Sequence, residues 1–157
     1  MDFKMSGDSF PDQAKTLGSL LRRTYRSLQR VLYSEMAAKG FPDIRPSHSA
    51  VFRHVSPEGS RLTELAAKAD LTKQSMAYLV GHLEERGYVK TMADPSDGRA
   101  RLVKLTAKGK RFVNALIEAS AEVERRMDAA MAAGEMEALR DSLASLDAAI
   151  SKTSRSA

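Results

Sequence analysis

The 157-residue chain contains no cysteine. That absence excludes a disulfide framework, a thiolate metal site and a thiol redox switch. Glycine (9) and proline (5) are sparse and the strand-prone runs are short, so helix should dominate. No uninterrupted apolar run is longer than Ala129–Ala133, which falls far short of the ~20 residues of a membrane span. Met1-Asp-Phe-Lys4 leads into no apolar stretch of a signal peptide. A cytoplasmic chain without membrane association is expected. His48, His54 and His82 are the three histidines. The first two are spaced to lie on different faces of a helix, and His-Glu-x-x-His, a phosphate loop and a nucleophile elbow are all missing. Neither catalysis, a cofactor nor a metal is expected, and Glu84-Glu85 reads as a solvated helix end.

What is present is ordinary globular composition, 43% hydrophobic and 29% charged, with a net charge of +5 and a pI near 9.6. One domain spanning 1–157 is the default at this length. Between Lys90 and Lys110 stand six Lys or Arg against two Asp, whereas 111–157 carries six against eight acids. Basic charge thus gathers around one segment, as a nucleic-acid footprint requires.

Along the chain, residues 1 to about 11 are polar and read as frayed. A helical pattern runs from Asp12 to Ala38 through Leu17, Leu20, Leu21, Leu28, Val31 and Leu32. Lys39-Gly40, with Pro42 beyond, stops it. Pro46 suits a first helical turn, and a short helix should follow from Ser47 to about Val55. Pro57-Glu-Gly-Ser60 breaks it. Leu62–Ala69 is a third helix, Asp70-Leu71 a turn, and Thr72 the N-cap of a fourth helix reaching Gly87. Two β-prone runs, Tyr88–Met92 and Leu102-Val103-x-Leu105, flank Pro95, Ser96, Asp97 and Gly98. They read as a hairpin around an Asp-Gly turn. A long helix should start at Thr106 and run to Ala133, with Gly109 weakening its first turn. After Gly134, a last helix should span Glu135–Ser151.

In the fourth helix, Met76, Leu79, Val80 and Leu83 form a core stripe. Thr72, Lys73, Gln74, Ser75 and Tyr78 remain near its exposed N-terminal half. They are able to bond base edges or phosphates from a major groove. Taken singly this is an ordinary solvated face. A preceding short helix, a tight turn and a basic hairpin together make a winged helix-turn-helix.

The runs Leu62-Thr-Glu-Leu-Ala-Ala-Lys-Ala-Asp-Leu-Thr-Lys-Gln-Ser-Met76, Leu83-Glu-Glu-Arg-Gly-Tyr-Val89 and Asp94-Pro-Ser-Asp-Gly-Arg-Ala-Arg-Leu-Val-Lys-Leu-Thr-Ala-Lys-Gly109 resemble the MarR family of bacterial transcriptional regulators, over roughly residues 12–150. The resemblance implies a mainly α fold with a small β-hairpin wing. A winged helix-turn-helix (46–105) would lie between N- and C-terminal dimerisation helices (12–40 and 106–151). It implies a homodimer on double-stranded DNA at a pseudo-palindromic operator. Members commonly repress nearby genes and are released by small aromatic or phenolic effectors. Arg99 matches the wing-tip arginine of the minor groove and Asp97 the carboxylate that steadies it, with Arg101 beside them. Gln74, Ser75 and Tyr78 match recognition-helix contacts, although many members carry Arg where Tyr78 stands. A winged-helix module that binds protein instead of specific DNA is the alternative reading.

Two features lie outside the DNA module. Met136, Leu139, Leu143, Leu146 and Ile150 repeat at alternating spacings of three and four, a heptad seam suited to a second subunit or to the chain's own helices. Arg45-Pro-Ser-His48 offers a cation and an imidazole for an aromatic acid or phenol, unless His48 serves only as a core hydrogen-bonding group. Met127, Met131 and Met136 could line a soft pocket but equally fill a core.

Overall fold

The computed structural model describes residues 16–155, so the expected frayed segment and the helical start at Asp12 lie outside the described residues. In chain order come α1 (Leu17–Ala38), a 3-10 turn (Pro46–His48) leading into α2 (Ser49–Phe52), β1 (Ser60–Arg61), α3 (Leu62–Lys68), α4 (Lys73–Glu85), β2 (Val89–Asp94), β3 (Asp97–Leu105), α5 (Ala107–Ala130) and α6 (Glu135–Arg155). The chain divides into two compact units, Met1–Leu116 and Ile117–Ala157.

The first unit follows local signals closely. Thr16 caps α1 by accepting from the Ser19 N–H at 3.2 Å. At its end, Gly40 takes φ +95° and the Phe41 N–H donates to the Met36 carbonyl at 3.0 Å, the glycine stop expected from Lys39-Gly40. Between α3 and α4, Asp70 turns the chain at φ 52°, a left-handed conformation that Asp tolerates better than most side chains. Thr72 then caps α4, accepting from the Ser75 N–H at 3.1 Å. On α4, Met76, Val80 and Leu83 are buried, while Leu79 is only half-buried.

The sheet departs from expectation twice. Its order is β1-β3-β2, all antiparallel, and β1 is a strand where the sequence suggests only a break. Two residues are too few to show a period of two. The turn is the second departure. The strands pair regularly to Ala93↔Arg101 and then jump to Asp94↔Asp97. The chain therefore reverses at Pro95-Ser96, and Asp97-Gly98 belong to β3. The cause is local: Asp94 accepts from the Ser96 N–H (2.8 Å) and hydroxyl (2.7 Å), an Asx turn with Pro95 pre-set at its second position. The surplus residues 98–100 bulge from the ladder.

An aromatic cluster forms the core of this unit. Ring centroids lie 4.5 Å apart for Phe52–Phe112, 5.3 Å for Phe41–Phe112 and 5.8 Å for Tyr88–Phe112. Of these rings Tyr88 and Phe112 are fully buried, each contributing roughly 1.5–3 kcal/mol. Tyr88 also carries the junction between wing and α5. Its carbonyl accepts from the Thr106 N–H at 3.0 Å. The Thr106 hydroxyl donates to the Gly87 carbonyl at 2.6 Å and accepts from the Gly109 N–H at 3.1 Å, capping α5. Gly109 meets the Tyr88 carbonyl so closely that an added Cβ would stand 2.1 Å from its oxygen. Glycine is required there by contact, although it weakens the helix.

In the second unit, α5 ends at Ala130, and α6 runs past the expected Ser151 to Arg155. Arg140 bonds Glu124 at 2.6 Å. The seam residues Leu139, Leu143 and Ile150 remain 44%, 39% and 56% exposed.

Gly109→Ala should therefore destabilise the chain by about 1–3 kcal/mol through overpacking, read as a lower urea midpoint. Stabilisation, as helix propensity alone predicts, would contradict the close contact.

Candidate nucleic-acid interface

The polar half of α4 stands clear of the core because Met76, Val80 and Leu83 hold the opposite face. Lys73, Gln74, Ser75 and Tyr78 are all exposed, and Tyr78 reaches 74%, an unusual amount for an aromatic side chain without a binding partner. Thr72 and Ser75 partly satisfy each other: the Thr72 hydroxyl donates to Ser75 Oγ at 2.8 Å. Thr72 therefore fixes the start of the helix, leaving Lys73, Gln74 and Tyr78 as its free-standing polar groups.

The wing tip is clamped by residues the sequence reading leaves out. Asp94, only 7% exposed, receives Arg61 Nε at 2.8 Å and Arg61 Nη2 at 2.7 Å on the same carboxylate oxygen. Its other oxygen takes both Ser96 donors. These Ser96 bonds, followed by Arg61, hold the carboxyl down at about 2. Arg61 also opens α3, its backbone N–H donating to Glu64 at 3.3 Å. The tip is thus tied to the start of the helix-turn-helix. Asp-Pro-Ser signals an Asx turn and could have revealed Asp94. Arg61, 33 residues away, has no such signal.

Asp97, the expected steadying carboxylate, heads β3 and pairs through its backbone with Asp94. Arg99 sits in the bulge, its side chain outside the described residues. Arg101 and Lys90 are exposed on the strands.

Arg45 and His48 meet through the Arg45 backbone N–H, which donates to His48 Nδ1 at 3.0 Å. His48 is buried and stacked on His82 with centroids 4.6 Å apart. Neither residue lines the grooves along α1 and α4. Among the described residues, no group of three or more His, Asp or Glu could hold a metal ion, and no helix is long and apolar enough to cross a membrane.

Two helices joined by a tight turn, with a three-stranded sheet and a clamped hairpin, define the winged-helix class. The family profile described as a winged helix DNA-binding domain matches residues 45–109. The transcriptional regulator HosA of Escherichia coli O111:H- is 35% identical over 77 residues, 48% of this chain and 57% of that protein. HosA of Escherichia coli O157:H7 is 31% identical over 97 residues, 61% of this chain and 72% of its own. Among solved structures, PcaV of Streptomyces coelicolor, in complex with its natural ligand, superposes with a TM-score of 0.65 at 25% identity, covering 91% of this chain and 99% of that one. CouR of Rhodococcus jostii RHA1, bound to p-coumaroyl-CoA, gives 0.64 at 25% identity over 85% and 92%. CouR bound to a 23-mer DNA duplex gives 0.68 at 23% over 90% and 99%. The chain belongs to the MarR family of winged-helix, DNA-binding transcriptional regulators.

His48 carries a pH prediction. Burial first, then His82, Arg45 and Arg86, push its imidazole down to about 4 from 6.5. The unfolded chain takes up this proton more readily than the folded one. The stability contribution is thus intact above 6.5 and is lost as pH falls towards about 4. His48→Gln should flatten the pH dependence of the urea midpoint across that window. An unchanged slope would show that other groups carry it.

Proposed function

We propose that the chain represses transcription in the cytoplasm as a homodimer bound to a pseudo-palindromic operator, that a small organic effector releases it, and that it has no catalytic activity of its own. The observation that carries this reading is the exposed polar half of α4 beside a wing whose tip is clamped by Asp94 and Arg61. Gln74, Ser75 and Tyr78 would face base edges, with Lys73 and the Thr72-capped helix start towards phosphates. Arg99 would enter the minor groove, where narrow A·T-rich stretches concentrate negative potential. Asp97 would steady it, and Arg101 would meet the backbone. CouR with a DNA duplex and with p-coumaroyl-CoA supports a regulator with both kinds of ligand. Arg45 and His48 would influence an effector through the segment they brace, since neither lines the grooves described.

The dimer is supported by exposed apolar side chains: Leu17, Leu20, Leu21 and Val31 on α1, Leu139, Leu143 and Ile150 on α6. So many on two helices exceed what a lone chain usually leaves to water. Sedimentation at micromolar concentration should give twice the 17.2 kDa mass. A monomer that still binds an operator tightly would defeat the dimer. Two recognition helices about 34 Å apart call for an inverted repeat.

Titration against operator and scrambled duplexes at several salt concentrations tests the interface. Gln74→Ala and Tyr78→Ala should each cost roughly 1–3 kcal/mol on the operator and relax preference at a few positions. Arg99→Ala should weaken binding to most sequences and flatten the log–log salt slope by about one unit. Asp94→Ala should resemble a milder Arg99→Ala by loosening the tip. Parental affinity in Arg99→Ala would make the hairpin a structural flap and favour a protein-binding module.

A further inference from the structure

On α4, Gln74, Ala77, Tyr78 and Gly81 recur at the three- and four-residue spacings that share one helix face. The first three are exposed, and a Cβ added at Gly81 would meet nothing within 4 Å. Among the described residues, the Gln74 amide and the Tyr78 phenol take no hydrogen bond within the chain. This stretch of the face carries an amide, a methyl, a phenol and bare backbone, and no charge. Lys73 is the only Lys or Arg of α4. It stands about 100° from Gln74 and about 140° from Tyr78 around the helix axis. The acids of the helix are at its far end. Glu84 is engaged by the wing, accepting from the Thr91 N–H at 2.6 Å. Glu85 lies beside Arg86, about 16 Å along the axis from Gln74.

Each base asks for a different group in the major groove. Guanine presents two acceptors, O6 and N7, which suit a cationic donor. Cytosine offers an amino donor, which suits a carboxylate. Adenine combines the N7 acceptor with the N6 donor, and one amide matches both. Thymine alone carries a methyl group, which an apolar surface covers. Gln74 therefore suits adenine, and the Tyr78 ring with the Ala77 methyl suits thymine. Ser75, whose Oγ accepts from the Thr72 hydroxyl at 2.8 Å, fits any base pair and decides nothing. The small residues at 77 and 81 leave the Tyr78 ring room to approach the base edges.

We infer that α4 reads A·T pairs. Gln74 bonds N6 and N7 of an adenine, and the Tyr78 ring covers a thymine methyl. Guanine is rejected at both positions, because no cation on this face meets its two acceptors. This rests on the DNA-binding reading above and adds the bases recognised. With an uncharged reading face, attraction to phosphates falls to Lys73 and the wing cations. Discrimination between bases is then independent of salt while affinity is not.

The full chain first selects sites from random duplexes, and modified duplexes then delete one group at a time. Deoxyuridine for thymidine removes only the methyl and should weaken binding about fourfold at one thymine per half-site. 7-Deazaadenine removes N7 and should cost about threefold or more at one adenine. Tyr78→Ala should bind the uracil and thymine duplexes alike, whereas Tyr78→Phe should keep the preference. Gln74→Ala should be indifferent to 7-deazaadenine. These ratios should persist as salt rises and absolute affinity falls. An operator in which no thymine responds to loss of its methyl would overturn the inference. So would a uracil penalty that survives in Tyr78→Ala, or a 7-deazaadenine penalty that survives in Gln74→Ala. Each of these outcomes leaves the regulator reading intact, whereas failure to select any duplex removes both.

Discussion

The rest of the first unit depends on the approach of Gly109 to the Tyr88 carbonyl. At that point the end of the recognition helix, the first wing strand and the start of α5 meet within one hydrogen-bond network. The Tyr88 ring faces Phe112 of α5, and its hydroxyl donates to Asp43 Oδ1, after α1, at 2.6 Å. Burial, and then that bond, raise the phenol's pKa. Lys108 Nζ lies 4.1 Å from the ring centroid and donates to the Arg86 carbonyl at 2.9 Å. One residue thus sets the angle at which α4 leaves the core, the angle at which the wing enters, and the origin of the long helix.

From that junction the polar surface follows. With α4 held by Met76, Val80 and Leu83, its first turns present Lys73, Gln74 and Tyr78 outward. The wing needs its own anchor because Pro95-Ser96 stands at the opposite end of β2 from Tyr88 and the aromatic cluster. Arg61 supplies it by bridging β1 and α3 to the buried Asp94. A hairpin fixed at both ends keeps its strand cations in a set place, which lowers the entropy lost on meeting a rigid duplex.

The two long terminal helices follow a different logic. Leu17, Leu20 and Leu21 of α1, like Leu139, Leu143 and Ile150 of α6, are too exposed for a finished core. In the proposed dimer a second subunit would cover such positions.

The sequence by itself determined the stop of α1 and the turn and start that lead into α4, since Gly40, Asp70 and Thr72 act on backbone groups within a few residues. It determined that a basic hairpin follows a recognition helix, because turn formers and alternation are local patterns. The position of the turn was local too, because the Asp94 side chain captured Ser96, two residues on, ahead of the Asp-Gly pair. Two things were settled only by tertiary structure. The two-residue strand β1 was one, stabilised by pairing with β3 and not by any propensity of its own. The other was the identity of the clamping partner of Asp94, Arg61, together with the need for glycine at 109. Contacts of that kind arise when distant segments meet, and neither periodicity nor turn chemistry encodes the distance between them.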